Sequence, residues 1–154
     1  MRRSLQFGEL EQVLAEVDSL LAKGFEKSGN WSLGQICWHM RSTMESNMNG
    51  YPNWMVILGF PLRPLLRFFG LPRLLAGKSP KGIPTAGMFV PANDVADARE
   101  VAEFRKCVKA FMSWQHSLHP HPGFGKMSAE QFATFHAAHA AHHLSFLHPK
   151  SGEK

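Results

Sequence analysis

Apolar side chains recur every three or four residues in four separate stretches of the chain, which is the spacing of amphipathic helices. The first stretch covers residues 9–23 and is followed by Gly24, a residue that commonly ends helices. The second begins at Ser32, which forms a Ser-x-x-Gln capping box with Gln35, and should continue to about Met48. These patterns predict the first two helices of the fold.

Two further helices are predicted in the second half of the chain. Asn93 or Asp94 is the expected cap of the third helix, whose apolar face ends at a His-Pro-rich break. Ser128 and Gln131 form a second capping box, from which a fourth helix should run to Leu147. Because the sequence has no internal repeat and no alternating strand pattern, it predicts an all-α fold, a four-helix bundle.

The connection between the second and third helices, residues 51–92, is dense in Pro and Gly, so no long straight helix is expected there. Its first half, residues 54–75, is nevertheless very apolar and carries Arg63, Arg67 and Arg73. We expect short helical pieces that cover one end of the domain. A connection of this length is typical of a lid, a partner surface or a crossover.

Composition defines the class of protein without naming an activity. A chain of 154 residues that is 44% hydrophobic and 19% charged predicts one globular domain over residues 1–154. The formal net charge of +5 favours anionic small molecules or surfaces, but the basic residues are scattered and no recognition motif accompanies them, so nucleic acid is not an expected partner. The two cysteines, Cys37 and Cys107, form no paired motif and are interpreted as structural thiols of a reducing, cytoplasmic compartment.

Neither an export signal nor a membrane span is expected from the sequence. Residues 1–4 resemble the charged start of a signal, but Gln6, Glu9 and Glu11 follow where an apolar run would be needed. Elsewhere, a charge or a helix breaker interrupts every run before it reaches about eighteen apolar residues, a length close to that of a spanning helix.

The candidate chemistry lies in the histidines, eight of which, out of nine, occur at or after position 116. At 100° per residue, His139 and His143 fall about 20° on either side of Phe132, in the middle of the fourth helix's apolar stripe. A single buried histidine is most often satisfied within the core. Two buried rings one turn apart are costly if their polar nitrogens lack partners, and a shared metal ion supplies those partners.

Two other histidines are weaker candidates on periodicity alone. His136 lies about 40° from the stripe centre, so it could be a ligand, a partner that orients a ligand, or an edge residue. His39 is the histidine outside the C-terminal third, and it lies about 120° from Leu33, on the flank of its helix. The spacing therefore does not direct His39 towards the interior.

Two motifs resemble the DinB/YfiT-like superfamily, and specifically one of its bacterial branches of unknown function. Residues 31–40 read WSLGQICWHM, and residues 139–146 read HAAHHLSF. The resemblance implies a DinB-like four-helix bundle with a long connection between helices 2 and 3. It also implies one divalent metal ion held by His39, His139 and His143, with His136 as a lower-ranked candidate. Many members of that superfamily have an Arg-Gly-Gln or similar polar run after the last ligand, whereas this chain has Leu144, Ser145 and Phe146.

Three imidazole ligands leave a coordination position open, as catalytic sites do. Characterised members of the superfamily include S-transferases that use low-molecular-weight thiols, so the first hypothesis is a metal-dependent thiol S-transferase or a hydrolase that acts on a small molecule. The rival is a non-catalytic, metal-stabilised binding protein in which residues 54–75 meet a partner. Contact of this stretch with a membrane surface is a less expected alternative, since such sequence is more often domain core plus subunit contact. We expect a homodimer, since the apolar stretch needs a partner. All-imidazole ligation suits zinc, nickel or iron, and also copper, and the sequence indicates no catalytic side chain.

Overall fold

The structure, a computed structural model, describes residues 2–78 and 85–150, and this part of the chain is mostly helical. It confirms the all-α class. The helices are α1 (Leu10–Lys23), α2 (Leu33–Asn49), α3 (Asn53–Leu75), α4 (Asp97–Met112) and α5 (Ala129–Leu144). Two short strands, β1 (Phe25–Lys27) and β2 (Leu147–Pro149), form an antiparallel pair.

Both predicted capping boxes are present. The Ser32 hydroxyl accepts a hydrogen bond from the Gln35 amide at 3.3 Å, and the Gln35 side chain accepts from the Ser32 amide at 2.8 Å. Ser128 and Gln131 make the same pair of bonds at 3.1 and 2.9 Å. The two helices that carry the candidate ligands therefore begin where their sequences specify.

The predicted cap of the third bundle helix is wrong. Helix α4 begins at Asp97, after the residue Ala96, which has no side chain that could cap it. The Asp97 carboxylate instead accepts a hydrogen bond of 2.6 Å from the Gly34 amide in the first turn of α2. An acidic side chain at the start of α4 thus satisfies the start of a neighbouring helix.

Four helices, α1, α2, α4 and α5, enclose the core, and α2 packs most extensively against α4. Residues from all four helices are almost fully inaccessible to solvent: Val13, Val17, Leu20, Leu33, Ile36, Met44, Phe104, Val108, Phe132 and Leu144. This bundle fixes the relative positions of α2 and α5, on which the site is built.

The β pair is absent from the sequence prediction, which extended the last helix to Leu147. Helix α5 ends at Leu144, and β2 pairs with β1 so that Lys27 lies opposite Leu147. Strands of three residues are too short to display alternation, and Leu147 is buried in either case. The pairing ties the end of the chain to the end of α1.

The short helical pieces expected between residues 51 and 92 are present, but they follow one another without a break from Asn53 to Leu75. Pro61, Pro64 and Pro72 each lie in the first turn of a new piece, where a missing amide proton costs little. A 3₁₀ turn at Phe60–Leu62 and a π turn at Leu66–Gly70 join the pieces.

Because the run is continuous, α3 is long and apolar enough to cross a membrane by length and composition alone. Its mean hydropathy is 1.3 over its best 18-residue window, and none of that window is buried. This differs from the sequence expectation, which treated the prolines and arginines as interruptions. Leu71 and Leu74 pack against the core of the bundle, so the apolar stretch belongs to the core only in part.

Polar contacts hold α3 against the turn before α5. The Arg63 Nε donates to the Pro122 carbonyl at 2.8 Å, and an Arg67 guanidinium nitrogen donates to the carbonyls of Phe124 and Lys126 at 2.6 and 2.9 Å. A Cβ atom at Gly59 would lie 2.6 Å from the Pro122 carbonyl oxygen, so the two backbones touch there. Helix α3 therefore lies along the domain.

The closest approach of α2 and α4 yields a test of the bundle. We expect Gly34→Ala to destabilise the protein by about 1–3 kcal/mol, because the new Cβ would lie 2.9 Å from the Asp97 Cα and backbone cannot yield cheaply. Helix propensity alone would change stability in the opposite direction, by about 1 kcal/mol. Urea unfolding measures the difference, and Gly8→Ala, where the added Cβ would meet only the Gln12 side chain at 3.9 Å, is the control. Equal stability of the two variants would contradict this packing.

Candidate metal centre

Three histidine side chains from two helices converge at one end of the bundle. His139 and His143 project from successive turns of α5, and His39 approaches from α2. The Nε2 atom of His139 lies 3.2 Å from that of His39 and 3.0 Å from that of His143. One ring nitrogen from each residue lies within 4.8 Å of the others, so the structure brings together all three candidate ligands.

His39 is buried, with 4% of its surface exposed, although periodicity left it on the flank of its helix. The flank is covered by Phe89, in a 3₁₀ turn at Gly87–Phe89, and by Trp31. The His39 Nδ1–H donates to the Phe89 carbonyl at 2.8 Å. This bond requires the proton on Nδ1 and leaves the Nε2 lone pair directed at the other two rings.

The arrangement of nitrogens fits a cation better than it fits hydrogen bonds alone. A single proton on His139 Nε2 can align well with one neighbour only, although two nitrogens lie within 3.2 Å of it. The His139 Nδ1 is buried and has no hydrogen-bond partner among residues 2–78 and 85–150. In a tetrahedral zinc site with bonds of about 2.0–2.1 Å, the ligand nitrogens lie about 3.3 Å apart, close to these separations. The donor set therefore suits one divalent ion.

All three rings are neutral near pH 7, which is the form that binds metals. Burial lowers the pKa of His39, and the bond to the Phe89 carbonyl opposes that shift. Burial lowers the pKa of His139 and of His143 well below its ordinary value, and the neighbouring imidazoles lower both further. No ring therefore has to lose an imidazolium proton at neutral pH before a cation enters.

His136, the lower-ranked candidate, does not join the cluster. Its Nε2–H donates to the Asn47 side-chain oxygen at 2.8 Å, with both residues buried. The Asn47 amide group in turn donates to the His119 carbonyl at 3.2 Å. His136 is thus a satisfied core histidine that links α5 to α2, and burial lowers its pKa to about 3.

Aromatic rings hold the three imidazoles in place. The Trp31 ring stacks on His143 with centroids 5.4 Å apart and lies 5.0 Å from the ring of His39. Phe135 stacks on His139 at 5.8 Å, one turn earlier on α5. These contacts restrict ring rotation and keep the nitrogens directed at one point.

The cluster lies at the wall of a large cavity of about 1540 Å³, and α3 lies over the other side. Most of the lining is aromatic or aliphatic: Trp31, Trp54, Leu58, Leu62, Leu65, Phe68, Phe69, Phe89, Phe124 and Phe146. Among the described residues that line it, none is Asp or Glu. The sequence could not reveal this cavity because its walls come from α2, α3, α5 and the turn before α5, which are far apart along the chain.

The cysteines offer no alternative nucleophile. Cys37 is buried on the apolar stripe of α2, and burial raises the pKa of its thiol. Burial raises the pKa of Cys107 to about 12. Both thiols are therefore protonated near neutral pH, in agreement with a structural role.

One family model, described as "Protein of unknown function (DUF1569)", matches residues 1–150 of the chain. No curated protein and no solved structure matches it.

The convergence of the three rings predicts the outcome of ligand removal. Protein purified without an affinity tag should bind about one equivalent of divalent metal. Loss of a residue that only orients a ligand weakens metal binding by roughly 10–100-fold. We expect a larger loss of affinity from each of the variants His39→Ala, His139→Ala and His143→Ala. Elemental analysis and competition with a chelator measure this. His136→Gln and the exposed His116→Ala are the controls and should retain the ion. Full occupancy in all three ligand variants would reject the site.

The buried neutral His136 predicts a pH dependence of stability. Its pKa is about 3 in the folded protein, against an ordinary value of 6.5, so below pH 6.5 the unfolded chain binds a proton that the folded chain does not. The part of the free energy of unfolding that depends on His136 is therefore highest above pH 6.5 and falls as the pH is lowered towards 3. We expect His136→Gln to lessen the slope of the unfolding free energy against pH in this range by up to one proton. Urea titrations at several pH values, with a chelator present, measure that slope. An unchanged slope would contradict the assignment.

Proposed function

The chain belongs to the DUF1569 family of proteins of unknown function, and we propose that it is a DinB-like, metal-dependent enzyme that transfers a low-molecular-weight thiol to an apolar small molecule. His39, His139 and His143 hold one divalent ion in this proposal. The observation that carries it is the convergence of three imidazole nitrogens at the wall of a large apolar cavity.

The number of ligands supports a catalytic rather than a structural role. Structural zinc sites are usually closed by four protein ligands, whereas catalytic sites keep one position for water or substrate. Within the described residues, the cluster offers three histidines and no fourth His, Cys, Asp or Glu. All three also line the cavity, so a free position would be open to a ligand there.

The residues around the cluster favour thiol transfer over hydrolysis. A divalent ion held by these histidines would lower the pKa of a bound water to near neutrality and would deprotonate a bound thiol outright. Hydrolysis commonly requires a carboxylate as general base beside the ion. Glu45 is paired with Arg41, and Glu130 is exposed at the start of α5; neither lines the cavity. In the thiol reaction the proton would pass to solvent, and the sulfur would bond to an electrophilic carbon of the acceptor as a leaving group such as bromide departs, so no general base is needed.

The cavity supports a bulky apolar acceptor. Its volume of about 1540 Å³ is larger than the roughly 300–1,000 Å³ typical of small-molecule sites. Buried and half-buried aromatic side chains such as Phe89 and Phe124 would contact apolar groups of the acceptor, while Arg73 is the cationic residue among the described lining. This chain's residues would thus bind and orient the acceptor beside the metal ligands.

A spectroscopic experiment tests the thiol step. We expect the cobalt-reconstituted protein to develop a thiolate-to-cobalt absorption band in the near ultraviolet when a small thiol such as mercaptoethanol is added. His143→Ala should show no such band, and His116→Ala should show the wild-type band. Absence of the band in wild-type protein that retains its cobalt would reject the thiol step while leaving the metal site intact.

Turnover provides the second measurement. Near pH 6 an ordinary thiol of pKa about 8.5 is less than about 1% thiolate, so activation should accelerate its reaction with an apolar electrophile such as monobromobimane by up to about a hundredfold. The gain should disappear when the metal is removed and return when it is restored. A rate equal to that of the free thiol would reject the proposed activity.

A further inference from the structure

Helix α3 exposes an unusual number of large apolar side chains. Ile57, Phe60 and Phe68 are 69%, 65% and 75% exposed, and Trp54, Leu58, Leu62, Leu65 and Phe69 are each more than half exposed. Of these, Ile57 and Phe60 do not line the cavity. So many exposed large apolar side chains on one helix of a folded domain mark a contact with something else.

The charge of the same segment indicates what that contact is. Residues 46–93 contain five Lys and Arg residues and no Asp or Glu. This equals the formal net charge of the whole chain, +5, so the rest of the sequence is balanced. The apolar face and the entire excess of positive charge therefore occur together.

We propose that α3 docks this protein on the surface of an anionic lipid bilayer, with Ile57 and Phe60 inserted among the acyl chains and the basic residues beside the headgroups. Trp and Phe side chains on an amphiphilic helix suit the boundary between acyl chains and headgroups. Arg73 and Lys78 make no ion pair within the described residues, so their charges are available to phosphate groups. The proposal does not depend on the metal centre.

A second copy of the chain is a poorer occupant of this face. In a two-fold dimer the same surface meets itself, so the segment's positive charge would face an identical positive charge with no carboxylate from the same segment to offset it. An anionic bilayer instead offers opposite charge and apolar depth in one surface.

The contacts of α3 with the domain favour lying on the bilayer over crossing it. A spanning orientation would break the bonds from Arg63 to Pro122 and from Arg67 to Phe124 and Lys126. It would also place both guanidinium groups within the hydrocarbon, where charged side chains are costly. Docked flat, the helix keeps these bonds and inserts only its outer side chains.

Sedimentation of the full-length protein with lipid vesicles tests the proposal. The wild-type protein should pellet with vesicles of equimolar phosphatidylcholine and phosphatidylglycerol, bind pure phosphatidylcholine more weakly, and lose affinity as salt is added. The double variant Ile57→Glu, Phe60→Glu should reduce partitioning by about tenfold or more, since it removes two apolar side chains from lipid.

A matched control variant distinguishes the loss of apolar side chains from α3 from the change in net charge. Leu21→Glu, Met112→Glu alters two exposed apolar residues on α1 and α4 and lowers the net charge by the same amount, so it should bind much as the wild type does. Metal content and circular dichroism of both double variants should equal those of the wild type, which keeps this test independent of the proposed enzyme activity.

Several results would overturn the proposal. Wild-type protein that stays in the supernatant with anionic vesicles would do so, as would equal binding by the wild type and the α3 variant. A wild-type dimer in sedimentation equilibrium that Ile57→Glu, Phe60→Glu converts to a monomer would assign the face to a second copy. Retention of the bound protein on vesicles after an alkaline carbonate wash would indicate a spanning helix instead.

Discussion

Three neutral imidazoles with their nitrogens directed at one another impose the main constraint on this structure. Two Nε2 contacts of 3.2 and 3.0 Å meet at His139, and neutral rings cannot satisfy both of them well. Removing one ring would leave its neighbours with fewer partners, and adding a cation would satisfy all three Nε2 atoms. The bundle around the cluster, above all the packing of α2 and α5 against a shared core, holds this arrangement in place.

The parts of the site that the sequence predicted are those set by local spacing. His139 and His143 are four residues apart on a helix whose start is specified by Ser128 and Gln131, so their proximity follows from one helical turn. His39 is different, because its burial depends on Phe89, fifty residues away, which covers the flank of α2. Only the resemblance to a known superfamily indicated its role, since periodicity carries no information about such a distant contact.

The remaining differences between sequence and structure have the same origin. Asp97 caps the start of α2 rather than its own helix, and the β pair joins residues more than a hundred positions apart. The prolines of α3 were expected to break it into separate pieces, yet each occupies a first-turn position that tolerates the missing amide. Hydrogen bonds from two arginines to backbone carbonyls hold α3 against the domain. The cavity and the exposed face of α3 follow from this attachment.

The way the site is built favours a role in chemistry over a role in folding for the ion that we propose these histidines hold. Small zinc domains lack a core and fold only when metal binds, because the ligands themselves organise the chain. Here Phe104, Phe132 and Leu144 are fully buried in a core of apolar side chains from four helices, and capping boxes start both helices that carry the candidate ligands without help from an ion. His39 is likewise oriented by the Phe89 carbonyl before any cation arrives. Since the fold already supplies the order that a structural ion would supply, three ligands facing a cavity are best explained by what a fourth, exchangeable ligand can do there.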